Sequence, residues 1–130
     1  MILVDTSVWV DFLKGADSRE RRALRRLIEE EADLALTGII LTETLQGIRE
    51  DKDFNKVKES LLAFPLCQPK DFETYLKAAQ IYRDCRKQGK TVRKTVDCLI
   101  AAICLEHDLI LFHKDRNFDH IADCTELKVL

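Results

Sequence analysis

Four acidic residues of this chain occupy positions where solvated surface acids are not usually found. Asp5 ends the apolar run "ILV", and Asp115 comes shortly after the apolar run "LILF". Glu43 lies within the apolar stretch "IILTETL", and Asp97 begins the run "CLIAAIC". Burying a charge without a partner is costly, so converging carboxylates repel one another unless a cation neutralises them. Ligand sets made only of oxygen favour hard ions such as Mg²⁺ or Mn²⁺.

Each of these acids also has an ordinary structural interpretation. Asp5 can serve as the N-cap of the helix that follows it. Glu43 can lie on the exposed side of its helix, and Asp97 can complement the dipole at a helix start. Asp115 can be a turn residue. The placement of all four together, rather than any one of them, is what favours a site.

The elements that would position these acids alternate between strands and helices. The segments "ILVD", "LALTG", "PLCQP", "LILFHKD" and "LKVL" predict short strands, and amphipathic or apolar helices are predicted between the first four of them. This alternation indicates an α/β fold with a mostly parallel sheet. Because sites in such sheets form beyond the carboxyl ends of the strands, Asp5 and Asp115 are expected at the same edge. With 130 residues, the chain is expected to form one domain, residues 1–130.

Composition restricts the function classes without choosing among them. The net charge of −2 argues mildly against a nucleic-acid binder when taken for the whole chain. The five cysteines show no C-x-x-C spacing, so we expect reduced thiols and no zinc site. We find no signal peptide and no apolar run long enough for a membrane span, which makes a cytoplasmic location the expectation.

Four segments together resemble the PIN-domain nucleases, and more closely the VapC-type toxins of toxin–antitoxin pairs: "ILVDTSVWVDFLKG", "LTETLQGI", "TVDCLIAAIC" and "FHKDRNFDHIA". The resemblance implies a three-layer PIN fold whose five-stranded parallel sheet has the order 3-2-1-4-5, flanked by helices. It implies an endoribonuclease whose acidic site falls on Asp5, Glu43, Asp97 and Asp115. Asp5 and Asp97 would be the main ligands of one or two Mg²⁺ or Mn²⁺ ions, supported by Glu43 and Asp115. The implied partners are RNA, a VapB-type antitoxin and a second copy of the chain.

The resemblance also implies auxiliary residues and leaves one ligand open. Thr6 and Ser7 match the hydroxyl residues beside the first acid, and Ser7 is the stronger candidate for a role near the metal. Family members often carry a second acid where this chain has Asn117. Asp115, Asp119 and Asp123 would share one face of a helix, so Asp119 is the alternative to Asp115 as the fourth acid.

A basic segment leads directly into Asp97. The four site acids contribute −4 to a net charge of −2, so the rest of the chain carries +2. Within "RDCRKQGKTVRK", five side chains are candidates for guiding an RNA backbone toward the acids. A solvated helix end and loop is the alternative for this segment. The candidates are Arg86, Lys87, Lys90, Arg93 and Lys94.

Other readings of the same residues are weaker. A phosphatase of the haloacid dehalogenase type needs a second acid at the position of Ser7, and a two-component receiver needs paired acids that this chain lacks. A metal-free ribonuclease based on histidine is disfavoured because His107 lies outside the acidic segments; only His113 and His120 flank Asp115. A housekeeping PIN nuclease, or a catalytically silent RNA- or protein-binding module on the same fold, remains the alternative to a toxin.

Overall fold

A sheet of short parallel strands forms the centre of the molecule. The structure, a computed structural model, describes residues 1–130. It contains one four-stranded sheet, in the order β2-β1-β3-β4, and every pair is parallel. The strands are β1 (Ile2–Val4), β2 (Leu34–Ala35), β3 (Ile110–Phe112) and β4 (Lys128–Val129). The predicted α/β class with a parallel sheet is therefore confirmed.

Seven helices flank the sheet and form two packed groups. In the first group, α2 and α3 both pack on α1, and α4 packs on α3. In the second group, α5, α6 and α7 pack on one another. No helix has the length and apolar character that crossing a membrane requires. The helices are α1 (Thr6–Lys14), α2 (Arg19–Glu29), α3 (Gly38–Gln46), α4 (Asp51–Leu62), α5 (Glu73–Lys87), α6 (Thr95–His107) and α7 (Arg116–Cys124).

Helix α6 is the most deeply buried helix, as its apolar sequence predicts. Seven of its 13 residues are buried, among them Cys98 and Cys104. Burial of these thiols raises the pKa of Cys98 to about 11 and that of Cys104 to about 12, so they behave as small apolar side chains. All five cysteines are free.

The prediction of a fifth strand is wrong. The segment "PLCQP" contributes only an isolated parallel bridge between Leu66 and Leu36, next to β2. The Leu36 N–H donates to the carbonyl of Pro65, and the Cys67 N–H donates to the carbonyl of Leu36. Pro65 and Pro69 lack the N–H groups that a longer ladder needs. The bridge lies on the outer side of β2, where the predicted order places its third strand.

Helix α7 has no counterpart among the predicted elements. It begins after Asp115, whose side chain caps it, and it ends at Cys124. Phe118 and Ile121 anchor it in the core. The spacing of the acids Asp115, Asp119 and Asp123 was the signal for this helix, although its apolar positions are too few to give a strong periodic pattern.

Candidate metal and RNA-cleavage site

Asp5 lies at the carboxyl edge of the sheet, where β1 and β3 both end. Val4 is paired with Phe112, and the Asp5 N–H donates to the Phe112 carbonyl oxygen at 2.9 Å. This hydrogen bond continues the ladder by one residue beyond the strand. Asp5 is only 5% exposed, and this backbone hydrogen bond fixes its main chain at the end of the strand.

Ser7 fixes the Asp5 carboxylate and links it to the exit of β3. Asp5 caps α1: its Oδ2 accepts from the Ser7 N–H at 3.0 Å and from the Ser7 hydroxyl at 2.6 Å. The same hydroxyl oxygen accepts from the Lys114 N–H at 3.0 Å. Asp5 is therefore both a helix cap and a member of the acidic cluster, and the two roles use the same turn.

The Lys114 side chain forms a second connection between the loop after β3 and helix α1. Its Nζ donates to Asp11 Oδ2 at 2.7 Å, which joins the loop after β3 to helix α1. This hydrogen bond lowers the pKa of Asp11 and raises that of Lys114. Both groups keep their charges at neutral pH, so the link persists there. Sequence reasoning did not single out either residue.

Thr6 holds the second acid. Glu43 lies in α3, which begins after the N-cap Thr37 and packs against α1. The Thr6 hydroxyl donates to Glu43 Oε1 at 2.9 Å, although the two residues are 37 positions apart in the chain. Glu43 is half-buried, so the alternative that it points freely into solvent is not what the structure shows.

Asp97 is a buried acid whose negative charge is unfavourable in its surroundings. It lies in the first turn of α6 and is only 5% exposed. Burial, together with the nearby charges of Asp115 and Asp5, raises the pKa of its carboxyl to about 6, although the amide of Asn117 and the charge of Lys94 act in the opposite direction. Asp5 and Asp115, which come from two other parts of the chain, therefore lie close enough to Asp97 to repel its charge.

Asp115 and Asp119 have different surroundings. Asp115 Oδ1 accepts from the Asn117 N–H at 2.9 Å, and its charge acts on Asp97. The Asp119 side chain is 62% exposed and its Oδ1 lies 3.3 Å from His113 Nε2. The structure thus places Asp115 with the other acids and pairs Asp119 with a histidine.

Asn117 has a role at the site that the sequence motif did not predict. Its side-chain amide donates to Asp97 Oδ2 at 3.1 Å, while its backbone N–H donates to Asp115. One residue therefore contacts two of the four acids. Its place in the motif, where a second acid is common in the family, was noted only as a departure.

The predicted RNA-binding residues have two kinds of environment. Lys90 Nζ lies 2.5 Å from Asp123 Oδ2, and the Arg86 guanidinium lies over the Tyr82 ring at 5.7 Å from its centroid. The remaining three candidates are exposed and form no salt bridge within the chain. These three are Lys87, Arg93 and Lys94.

The donor chemistry of the four acids fits a hard divalent cation. Each carboxylate has one oxygen held by a hydrogen bond from the chain. Two buried side-chain polar atoms lack a hydrogen-bond partner, Trp9 Nε1 and Thr44 Oγ1. Neither belongs to the four acids, so the second oxygen of each acid is accessible to a ligand. The side chains do not form a closed ligand cage, because no group of three or more acids, histidines or cysteines is arranged as metal ligands.

Comparison with known proteins places the chain in a class. The family model described as "PIN domain" matches residues 2–123. The chain belongs to the PIN-domain family. Within that family the chain is similar to VapC proteins: "Ribonuclease VapC11" of Mycobacterium tuberculosis is 37% identical over 129 residues, which cover 98% of this chain and 96% of that protein.

Solved structures of the same fold include members of the VapBC family of toxin–antitoxin systems. VapBC-1 from nontypeable Haemophilus influenzae matches with a TM-score of 0.76 at 18% identity, covering 100% of this chain and 97% of that one. FitAcB from Neisseria gonorrhoeae matches with a TM-score of 0.71 at 25% identity, covering 100% and 96%. These scores show that the chain shares the overall fold of both structures.

Proposed function

We propose that this chain is a single PIN domain that acts as a metal-dependent endoribonuclease, the toxin of a type II toxin–antitoxin pair. The observation that carries the proposal is the convergence of buried Asp97 with Asp5 and Asp115 at the carboxyl edge of the sheet. Such a cluster of like charges is maintained at a cost that a bound cation removes. The relationship to a protein named as a VapC ribonuclease supports RNA as the substrate.

The four acids would hold one or two divalent ions, with Asp5 and Asp97 as the main ligands and Glu43 and Asp115 in support. When bound, Mg²⁺ or Mn²⁺ supplies a water of lowered pKa and neutralises the charge that builds on the phosphate. Carboxylate oxygens are the ligands that both ions prefer.

The chain's own residues orient that ligand set. The hydroxyls of Thr6 and Ser7 each hold one oxygen of an acid, which leaves the other oxygen directed to a ligand. Outer hydrogen bonds of this kind typically change metal affinity by about 10- to 100-fold. We assign Thr6 and Ser7 a positioning role, and we assign Asp119 no contact with the ion because it pairs with His113.

RNA would approach over the loop between α5 and α6. Arg93 and Lys94 are exposed there, and the charge of Lys94 reaches Asp97. Lys87 extends this surface along the end of α5. Lys90 contributes less, because Asp123 already neutralises it. Arg86 is free to contact a phosphate or a base from its place over the Tyr82 ring.

The partners follow from the same proposal. An unprotected nuclease of this type harms its own cell, so an antitoxin of the VapB type would cover the site, with a basic side chain placed among the acids. Solved relatives of this fold occur as VapBC complexes, which supports such a partner. We also propose a homodimer and a cytoplasmic location, where RNA is available and the five free cysteines stay reduced.

The test of the proposal is RNA cleavage by the purified chain. We expect cleavage with Mg²⁺ or Mn²⁺ and none with excess EDTA. Asp5→Asn and Asp115→Asn should each lower the rate by at least about 100-fold, whereas Asp119→Asn should retain most of the activity. Cleavage that persists in EDTA would refute the metal-dependent mechanism. A folded chain that binds Mn²⁺ but cuts no RNA would favour a binding module.

The toxin role has a separate test in living cells. Expression of the wild-type chain alone should arrest growth, and co-expression of the small protein encoded beside it should restore growth. Asp5→Asn is the matched control, since it removes the activity and keeps the fold. Normal growth with soluble, active wild-type protein would favour a housekeeping PIN nuclease instead.

A further inference from the structure

One uncharged side chain connects two acids that lie at the starts of different helices. Asn117 lies in the first turn of α7, and Asp97 lies in the first turn of α6. The Asn117 Nδ2 donates to Asp97 Oδ2 at 3.1 Å, and the Asn117 N–H donates to Asp115 Oδ1 at 2.9 Å. No other residue of the chain donates hydrogen bonds to two of the four acids.

The chemistry at this position requires a donor. An ionised carboxylate can only accept hydrogen bonds, so the amide nitrogen of Asn117 must face Asp97. Asp97 is nearly completely buried and has Asp5 and Asp115 as repelling neighbours. A neutral donor lowers the cost of this arrangement without occupying the oxygens that remain open to a ligand.

We propose that Asn117 is a positioning residue that holds Asp97 and Asp115 in register to bind a divalent cation. This inference rests on the proposed metal-dependent function. Asn117 orients the two acids through one oxygen of each and leaves their second oxygens for the ion. Because Asp97 lies in the first turn of α6 and Asp115 caps α7, Asn117 also sets the separation of the two helix starts at the site.

A purely local role for Asn117 makes the opposite prediction for one substitution. Asparagine and aspartate have nearly the same shape, and an acid in the first turn of a helix is favourable to the helix dipole. If Asn117 only filled space in the first turn of α7, Asn117→Asp would be neutral or stabilising. If its amide holds Asp97, the same change removes the donor and adds a repelling charge.

The experiment combines thermal unfolding in EDTA with Mn²⁺ binding measured by calorimetry. In EDTA at pH 8, Asn117→Asp should lower the unfolding midpoint by about 5 °C, from the loss of one charge-assisted hydrogen bond in a chain of this size. Saturating Mn²⁺ should narrow this difference, because the ion neutralises the added charge. Asn117→Ala should bind Mn²⁺ about 10- to 100-fold more weakly than the wild type.

Two controls separate this result from general effects of the substitutions. Asn55→Asp and Asn55→Ala repeat the same changes at an exposed asparagine of α4, and both should leave Mn²⁺ affinity unchanged. If Asn117→Ala fails to fold, Asn117→Gln keeps the amide on a longer arm. That variant should fold and still bind Mn²⁺ more weakly than the wild type.

The outcomes also distinguish this inference from the proposed function. A wild-type chain that does not bind Mn²⁺ would overturn the metal-dependent function, and the inference with it. A wild-type chain that binds Mn²⁺, with equal affinity in folded Asn117→Ala, would overturn the inference alone. A midpoint of Asn117→Asp at or above that of the wild type in EDTA would overturn it as well.

Discussion

Replacing Asp97 by asparagine should stabilise the metal-free protein, although it removes a proposed metal ligand. Asp97 is 5% exposed, and burial together with Asp115 and Asp5 raises the pKa of its carboxyl from 3.8 to about 6. A raised pKa in the folded state means that ionisation favours unfolding. The neutral amide has the same shape and still offers an oxygen to Asn117, so it removes the charge and keeps the contact.

The size and pH window of this effect follow from the two pKa values. A difference of about two units corresponds to about 3 kcal/mol, an upper value for a group with neighbouring charges. Below pH 3.8 the carboxyl is protonated in both states and costs nothing. The destabilisation grows as pH rises through 3.8 and is complete above about pH 7. We therefore expect Asp97→Asn to gain about 1–3 kcal/mol at pH 8 and almost nothing at pH 4.

Thermal unfolding in EDTA measures this gain. For a chain of this length, about 1–3 kcal/mol corresponds to a rise in the unfolding midpoint of roughly 4–11 °C. Asp33→Asn is the matched control: Asp33 is exposed and its side chain makes no hydrogen bond or ion pair, so its removal should shift the midpoint very little. Saturating Mn²⁺ should reverse the order, because only the wild type gains binding free energy.

One result would refute this reasoning. If Asp97→Asn left the midpoint in EDTA unchanged or lower at pH 8, with the fold intact, Asp97 would not carry an uncompensated charge. The convergence of Asp5, Asp97 and Asp115 would then lose its electrostatic support. A gain of equal size at pH 4 and pH 8 would also contradict it, since titration of the carboxyl requires the gain to depend on pH.

The remaining predictions concern RNA, the hydroxyl beside the first acid, and the antitoxin. Changing Arg86, Lys87 and Lys90 together to alanine should weaken RNA binding and reduce the slope of log affinity against log salt by about 1–2. Mn²⁺ affinity should stay unchanged. An unaltered slope would show that these side chains face solvent and do not contact RNA. Thr6→Val should slow cleavage about 10-fold with little change in unfolding midpoint, because Glu43 loses its donor; an unchanged rate would contradict this role. Excess Mn²⁺ should weaken antitoxin binding measured by calorimetry, if a basic side chain of the antitoxin competes for the acids.

The sequence alone supports the positions of the acids and the class of fold. The apolar runs before Asp5 and Asp115 predict strands, and both strands are present in parallel register. This inference succeeds because a buried strand needs a short apolar segment, and because parallel strands end at a common edge. Helix α6 is predictable for the same reason, since its apolar character is local.

Other features depend on packing between residues far apart in the chain. The prediction of a fifth strand was wrong because the prolines that flank this segment leave only one bridge, at Leu66, beside the short strand β2. Helix α7 escaped prediction because its apolar positions, chiefly Phe118 and Ile121, are few. The sequence predicts that Lys90 is available to RNA, but the fold places Asp123 beside it, 33 residues away in sequence.

The sequence by itself determined which carboxylates could form a site, and only the tertiary structure decided how each one is held. Thr6 reaches Glu43 across 37 residues, the Asn117 amide reaches Asp97 across 20, and the Lys114 N–H reaches Ser7 across 107. Periodicity and motif spacing report local geometry, whereas these hydrogen bonds arise where separate helices and strand ends are packed together. That packing leaves Asp115 among the acids and turns Asp119 toward His113.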